Sequence, residues 1–438
     1  MNRIVAEIRM SPSKKFWLMM FIGFGIFLAV LLPQTREYRY FENDLHSLLQ
    51  IRKMPADFFA PWASDDYTAR RHPFFYYLTF LERDLFGARP LPSFAVIFIF
   101  HFASSILVGA LSRKLGAQEG QAAAAGLFFL CSSAFYQALI ILSSIDSGMC
   151  FVFFMLAVLA WIDFLRTEQL TSLFKAAIFQ TLAFFSAEDI VSFPLIALFL
   201  AWRLVPQNKN RNHLLVKGMP LLIFFYSASA VFILFRFFMA PCHSEWFEPG
   251  KVALFGLKMV NLVKVVLAST FLPARGFLGQ NVPAESLLRL IPAGLLFVLL
   301  AIFFVRSKQK IFRLERSQAY ALVTAAGFGL ITALPYMLHP LLFEHTTRYL
   351  YFPMAGFSIV FSILAMQIYQ AAGAGSVWRR FVFPLLFSGI LMLNLLNNAN
   401  HFRRYKNYAL SYGYPIDYTE QVKNILKEDS SRKIYGSR

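Results

Sequence analysis

Residues 16–32 read Phe-Trp-Leu-Met-Met-Phe-Ile-Gly-Phe-Gly-Ile-Phe-Leu-Ala-Val-Leu-Leu, with Lys14 and Lys15 before the run and Pro33-Gln34 after it. No side chain in the run is charged. A bilayer core about 30 Å thick is crossed by about 20 apolar helical residues, so the stretch reads as a membrane span. The basic start (Arg3, Arg9, Lys14, Lys15) also fits a signal peptide, but Leu31-Leu32-Pro33-Gln34 lacks a small-x-small cleavage site. It is read as a retained first span.

The same test picks out 93–112, 121–142, 148–165, 174–188, 189–205, 217–240, 287–305, 318–338, 349–369 and 380–397, which with the first makes about eleven spans. Lys258 and Lys264 interrupt the apolar stretch 252–272, which suits an interfacial or re-entrant helix better. Composition agrees with the count. Of 438 residues, 58% are hydrophobic and only 15% charged, against about a quarter charged in soluble domains. That excludes a soluble enzyme, a disordered chain and a secreted disulfide scaffold. Cys131, Cys150 and Cys242 are too few and too scattered for a disulfide or zinc framework. The expected class is an all-α polytopic membrane protein. Its transmembrane domain covers 1–397, with long loops at 34–92 and 241–286 and a polar tail at 398–438.

The formal charge is +18, and the Lys/Arg bias of the loops orients the chain. With the N-terminus in the cytoplasm, the inner segments hold 19 basic residues and five acidic ones. The outer segments hold 21 and 19, almost neutral but dense in both signs. The positive charge therefore reports orientation and anionic lipid, not nucleic acid. An odd number of spans puts the C-terminus outside.

Several acids and cations fall at outer helix ends on this topology. Glu42, Asp44 and His46 follow the first span, with Arg70, Arg71 and His72 later in the same loop. Asp146 precedes the fourth span, Glu188-Asp189 separates the fifth from the sixth, and His339, Glu344, His345 and Arg348 precede the tenth. His101 lies inside the second. Ionisable groups at membrane depth are costly and are functional candidates by default. A carboxylate there suits a general base, and arginines suit a departing phosphate. The same residues also serve as helix caps and interfacial anchors: Arg348 beside Tyr349 and Tyr351 reads as an aromatic-belt anchor too.

The run from Glu42 to Arg166 resembles the start of the GT-C membrane glycosyltransferases, in particular the branch of transmembrane O-mannosyltransferases with tetratricopeptide repeats and their bacterial relatives. Glu42-Asn43-Asp44 stands at the acidic cluster after the first span. Arg71-His72-Pro73-Phe74-Phe75-Tyr76-Tyr77 stands at the Tyr-Arg-Pro-Leu element, and Leu85-Phe86-Gly87-Ala88-Arg89-Pro90 at the Leu-Phe-Gly-x-x-Pro element. His101 falls at the second of two histidines in span two, with Phe94 at the first. Ser186-Ala187-Glu188 resembles a Ser-Lys-Glu element with the lysine replaced. Thr347 to Phe357, Thr-Arg-Tyr-Leu-Tyr-Phe-Pro-Met-Ala-Gly-Phe, follows the Glu-Arg-Tyr-Leu-Tyr-x-Pro-x-x-Gly-Phe element at all but its first position. The family's His-Pro-x-His-x-Glu element reads here Ser132-Ser133-Ala134-Phe135-Tyr136-Gln137, without its histidines or glutamate. No tetratricopeptide array follows.

The resemblance implies a GT-C-type bundle in a bacterial inner membrane, with its active face outside the cytoplasm. It implies a polyprenyl-phosphate-linked sugar as donor, a hydroxyl on a protein, glycan or lipid as acceptor, and inversion at the anomeric carbon. Asp44 is the expected base, with Glu42 and a divalent cation (Mg or Mn) held by the two. Arg348, Arg71 and His72 are expected at the donor phosphate, and Glu188, Asp146, His101 and Tyr351 along the acceptor side. Two other readings stand beside this one: a non-catalytic GT-C-like subunit that binds lipid or a partner, and a lipid or solute transporter.

Overall fold

The computed structural model describes residues 12–35, 90–141, 144–205, 315–337, 347–371 and 383–411, with short helical pieces within 74–85, 218–227, 258–266 and 377–382. In chain order the elements are α1 Pro12–Thr35, α2 Pro90–Lys114, α3 Glu119–Cys131, α4 Tyr136–Ile140, α5 Ile145–Thr167 and α6 Leu170–Phe184. A 3-10 turn, Glu188–Ser192, leads into α7 Phe193–Leu204. Then come α8 Arg316–Met337, a second 3-10 turn Thr347–Leu350, α9 Tyr351–Ala371 and α10 Phe383–Ser411. Among the described residues there is no strand. In lipid a helix satisfies every backbone polar group within its own segment, so long apolar runs have this one solution.

Five of these helices, α1, α2, α5, α8 and α9, are long and apolar enough to cross a bilayer, and α6 and α7 are shorter apolar helices. They mark an integral membrane protein. The expected spans at 217–240 and 287–305 lie almost wholly outside the described residues, as do most of 252–272 and the loops and tail. Two spans differ from expectation. Residues 121–142 do not form one helix: α3 stops at Cys131 and α4 begins at Tyr136. The last span does not stop at 397 but runs on through α10 to Ser411.

Consecutive helices alternate in direction. Phe27 meets Phe98, Phe24 stacks on Phe102 and the Arg113 guanidinium lies over Phe16, which sets α1 antiparallel to α2. Gly116, at φ +99°, turns the chain from α2 into α3, a conformation that costs glycine least. The Lys114–Asp163 ion pair and the Arg166 bond to the Lys114 carbonyl tie the same end of α5 to α2. Arg203 lies over Tyr320 there as well, so cations crowd this basic end. Between α8 and α9 the backbones touch. A methyl on Gly356 would sit 2.7 Å from the Cα of Gly329 and closer still to the Ala325 carbonyl oxygen. Small residues at such crossings let helices gain dispersion contacts where no hydrophobic drive exists.

Candidate functional site

The opposite end of the bundle is stepped. The His101 Nε2–H donates to the Leu130 carbonyl at 2.9 Å, placing the end of α3 level with the middle of α2. The Tyr351 hydroxyl donates to His101 Nδ1 at 2.8 Å, so α9 begins at that level too. A carbonyl oxygen only accepts, so Nε2 must carry the proton and Nδ1 the lone pair. α5 starts nearby, for Gly148 faces Phe100. Above this plane α2 continues to Pro90, about three turns or ~16 Å. α1 and α10 rise with it: Phe402 packs on Phe94, and Arg403 donates to Gln34 Oε1 at 3.1 Å. α3, α5 and α9 therefore end below the tops of α1, α2 and α10, and α4 packs its buried Tyr136, Leu139 and Ile140 in the step between them.

Non-helical backbone at membrane depth is tolerated only where protein or a cavity satisfies it. The gap between α3 and α4 meets this condition through α10. Asn394 Oδ1 accepts from the Ser133 backbone N–H at 3.2 Å and from its hydroxyl at 3.0 Å. Asn398 Nδ2 donates to the carbonyls of Cys131 at 3.3 Å and Ser132 at 3.2 Å. One turn further, His401 stacks on Tyr136 with ring centroids 3.8 Å apart. The next residue of α4, Gln137, accepts the backbone N–H of Arg348 at 3.4 Å. That bond joins the gap to the Thr347–Phe357 element.

Arg348 is half-buried in its 3-10 turn. Its guanidinium donates to the Tyr349 hydroxyl at 3.4 Å and lies 5.2 Å from that ring, which stacks on Tyr336. Asp146 sits in the first turn of α5 and accepts the Ser147 N–H at 2.6 Å, a position the helix dipole favours for an acid. Glu188 opens the 3-10 turn between α6 and α7; its side chain is outside the described residues. Beside it, the Phe185 carbonyl accepts the N–H of Phe74 at 3.3 Å and the two rings touch, so the first loop meets the bundle here. Ser144 Oγ, Ser192 Oγ and Asn398 Oδ1 are buried at this end without a hydrogen-bond partner among the described residues.

The sequence-predicted residues thus divide. Arg348, Asp146 and the turn holding Glu188 come to this same end of the bundle. His101 and Tyr351 come together, but at 1% and 2% exposure, inside a cluster with Phe129, Phe135 and Phe151. Both imidazole nitrogens are engaged, so the pair pins α2, α3 and α9. Asp44, Glu42, Arg71 and His72 lie outside the described residues, and with them the expected cation site. Among the described residues no three His, Cys, Asp or Glu side chains converge. The sequence reading did not single out Asn394, Asn398 or His401, and it met Gln137 only as the place of a missing glutamate. The signal was present for the first three: polar residues at i, i+4 and i+7 in a run of Leu and Met form one face of a helix.

No family model matches the chain, and no curated protein is detectably similar to it.

Proposed function

We propose that the protein is a GT-C-type membrane glycosyltransferase that transfers a sugar from a polyprenyl-phosphate donor to a hydroxyl acceptor. The observation that supports this reading is that Arg348, Asp146 and the turn holding Glu188 lie on separate elements at one end of the bundle, where Phe74 of the first loop bonds Phe185. Asp44 takes the acceptor proton as the acceptor oxygen attacks the anomeric carbon. The bond from that carbon to the phosphate oxygen breaks, the electron pair leaves with the phosphate, and configuration inverts. Arg348, with Arg71 and His72, stabilises the departing charge. Asp44 and Glu42 suit a divalent cation by their chemistry, and the cation would add charge neutralisation there. Glu188 and Asp146 shape the acceptor side.

Purified protein in proteoliposomes, supplied with the polyprenyl-phosphate sugar identified among its co-purifying lipids, tests this directly. Asp44→Asn is expected to slow transfer about 10²- to 10⁴-fold, the range for loss of a general base. Transfer at the parental rate would remove Asp44 from that role.

A second reading is a non-catalytic subunit of the same architecture. It is favoured by the Ser132–Gln137 segment, where the resembled family carries two histidines and a glutamate and this chain is closed by Asn394 and Asn398. Retention of a polyprenyl phosphate without transfer to any acceptor would support it.

A further inference from the structure

At the basic end, opposite Arg348 and Asp146, α1 and α2 form a seam that joins cations to an open aromatic surface. Phe16, 1% exposed, wedges against Gly109, where a methyl would come within 2.8 Å of its ring. The Arg113 guanidinium lies over that ring, 4.9 Å from its centroid, and is held there at the bundle surface. Lys14 and Lys15 are exposed at the facing end of α1. Other cations here already have protein partners: Lys114 bonds Asp163, and Arg166 bonds the Lys114 carbonyl. Arg113 and Lys15 are in no ion pair among the described residues.

Below the cations runs a ladder of rings. Trp17 stacks on Phe21 at 5.9 Å, and Phe21 meets Phe102 of α2 at 5.6 Å. Trp17 is 41% and Phe21 58% exposed, so the ladder faces outward rather than into the core. Helical spacing aligns the two halves. Lys14, Trp17 and Phe21 share one face of α1, while Arg113, Gly109, Ile106 and Phe102 share one face of α2. A path thus leads from positive charge at the helix ends to apolar rings about two turns deeper. Tryptophan at its head suits the headgroup boundary.

We infer that this seam binds one anionic glycerophospholipid, with its phosphate on Arg113 and an acyl chain along Trp17, Phe21 and Phe102. Charge complementarity selects the occupant. A zwitterionic lipid fills the ladder equally well but brings its own cation to Arg113. A partner helix fills the rings and leaves Arg113 without an anion. The guanidinium, planar and fixed on Phe16, can offer two parallel N–H bonds to phosphate.

The test uses the full chain in nanodiscs made of equal parts phosphatidylglycerol and phosphatidylethanolamine, released into native mass spectrometry. The parent is expected to retain one phosphatidylglycerol in preference to phosphatidylethanolamine. Arg113→Gln is expected to lower that preference about fivefold, the contribution of one headgroup-level cation. Trp17→Ala with Phe21→Ala should lower retention of both lipids together. Circular dichroism and gel filtration of each variant separate loss of the site from loss of the fold. Equal retention of the two lipids by the parent, or unchanged preference in folded Arg113→Gln, would overturn the inference. So would a dimer carrying no bound lipid.

Discussion

His101 shows how one side chain is fixed by what it touches. Its two nitrogens differ in role because their partners differ: a carbonyl can only accept, and the Tyr351 hydroxyl is left to donate. Tyr351→Phe keeps the ring within its aromatic cluster but leaves Nδ1 as a buried, unpaired acceptor. The expected cost is about 1–3 kcal/mol, read as a lower unfolding midpoint in detergent, with His101→Phe in the same background recovering part of it. An unchanged midpoint for Tyr351→Phe would show that the bond contributes nothing. The sequence exposed His101, since a histidine in a span is visible as such. It could not expose Tyr351 as its partner. Spacing along the chain carries no information about two residues 250 positions apart on separate helices.

The gap between α3 and α4 is the element that apolar composition concealed. Ser132 and Ser133 are mild enough to pass within a span, so 121–142 reads as continuous. What permits the break is supplied by another helix, through Asn394 and Asn398. Asn398→Leu keeps the bulk but leaves the Cys131 and Ser132 carbonyls without that donor. We expect destabilisation of about 1–3 kcal/mol, with faster hydrogen exchange confined to α4 and the neighbouring end of α3. If exchange there matches the parent, the segment is held by something other than α10. The Thr347–Phe357 element was legible as a motif, while the reasons for its residues were not. Arg348 gives its backbone N–H to Gln137, Tyr351 reaches His101, and Gly356 lets α9 meet α8 backbone to backbone. Each reason is a contact with a distant helix.

For the whole molecule, the membrane character and the alternation of helices were readable from apolar runs alone. The lengths were less so, because a window of hydropathy cannot see that α10 keeps its helical bonds past the end of the apolar run at 397. The charge bias also makes a prediction at this scale. The end carrying Arg113, Lys114 and Arg166 should face the cytoplasm. In a Cys242→Ser background, where Cys131 and Cys150 are buried, Arg404→Cys should react with an impermeant maleimide in intact cells. Arg166→Cys should react only after permeabilisation. The reverse pattern would invert the protein, and with it the side on which any transfer reaction takes place.

One more property follows from α6. Its 15 residues span about 22 Å, against about 36 Å for the 24 residues of α1. Both present apolar side chains outward: Leu170, Phe174 and Ile178 on the short helix, Trp17, Phe21 and Ile22 on the long one. Lipid beside α6 must therefore compress to cover it, at a cost of fractions of a kcal/mol per ångström, while lipid beside α1 need not. We expect the membrane around the protein to be of uneven thickness, thinned beside α6, so that headgroups and water reach the turn that carries Glu188 without any part of the protein moving.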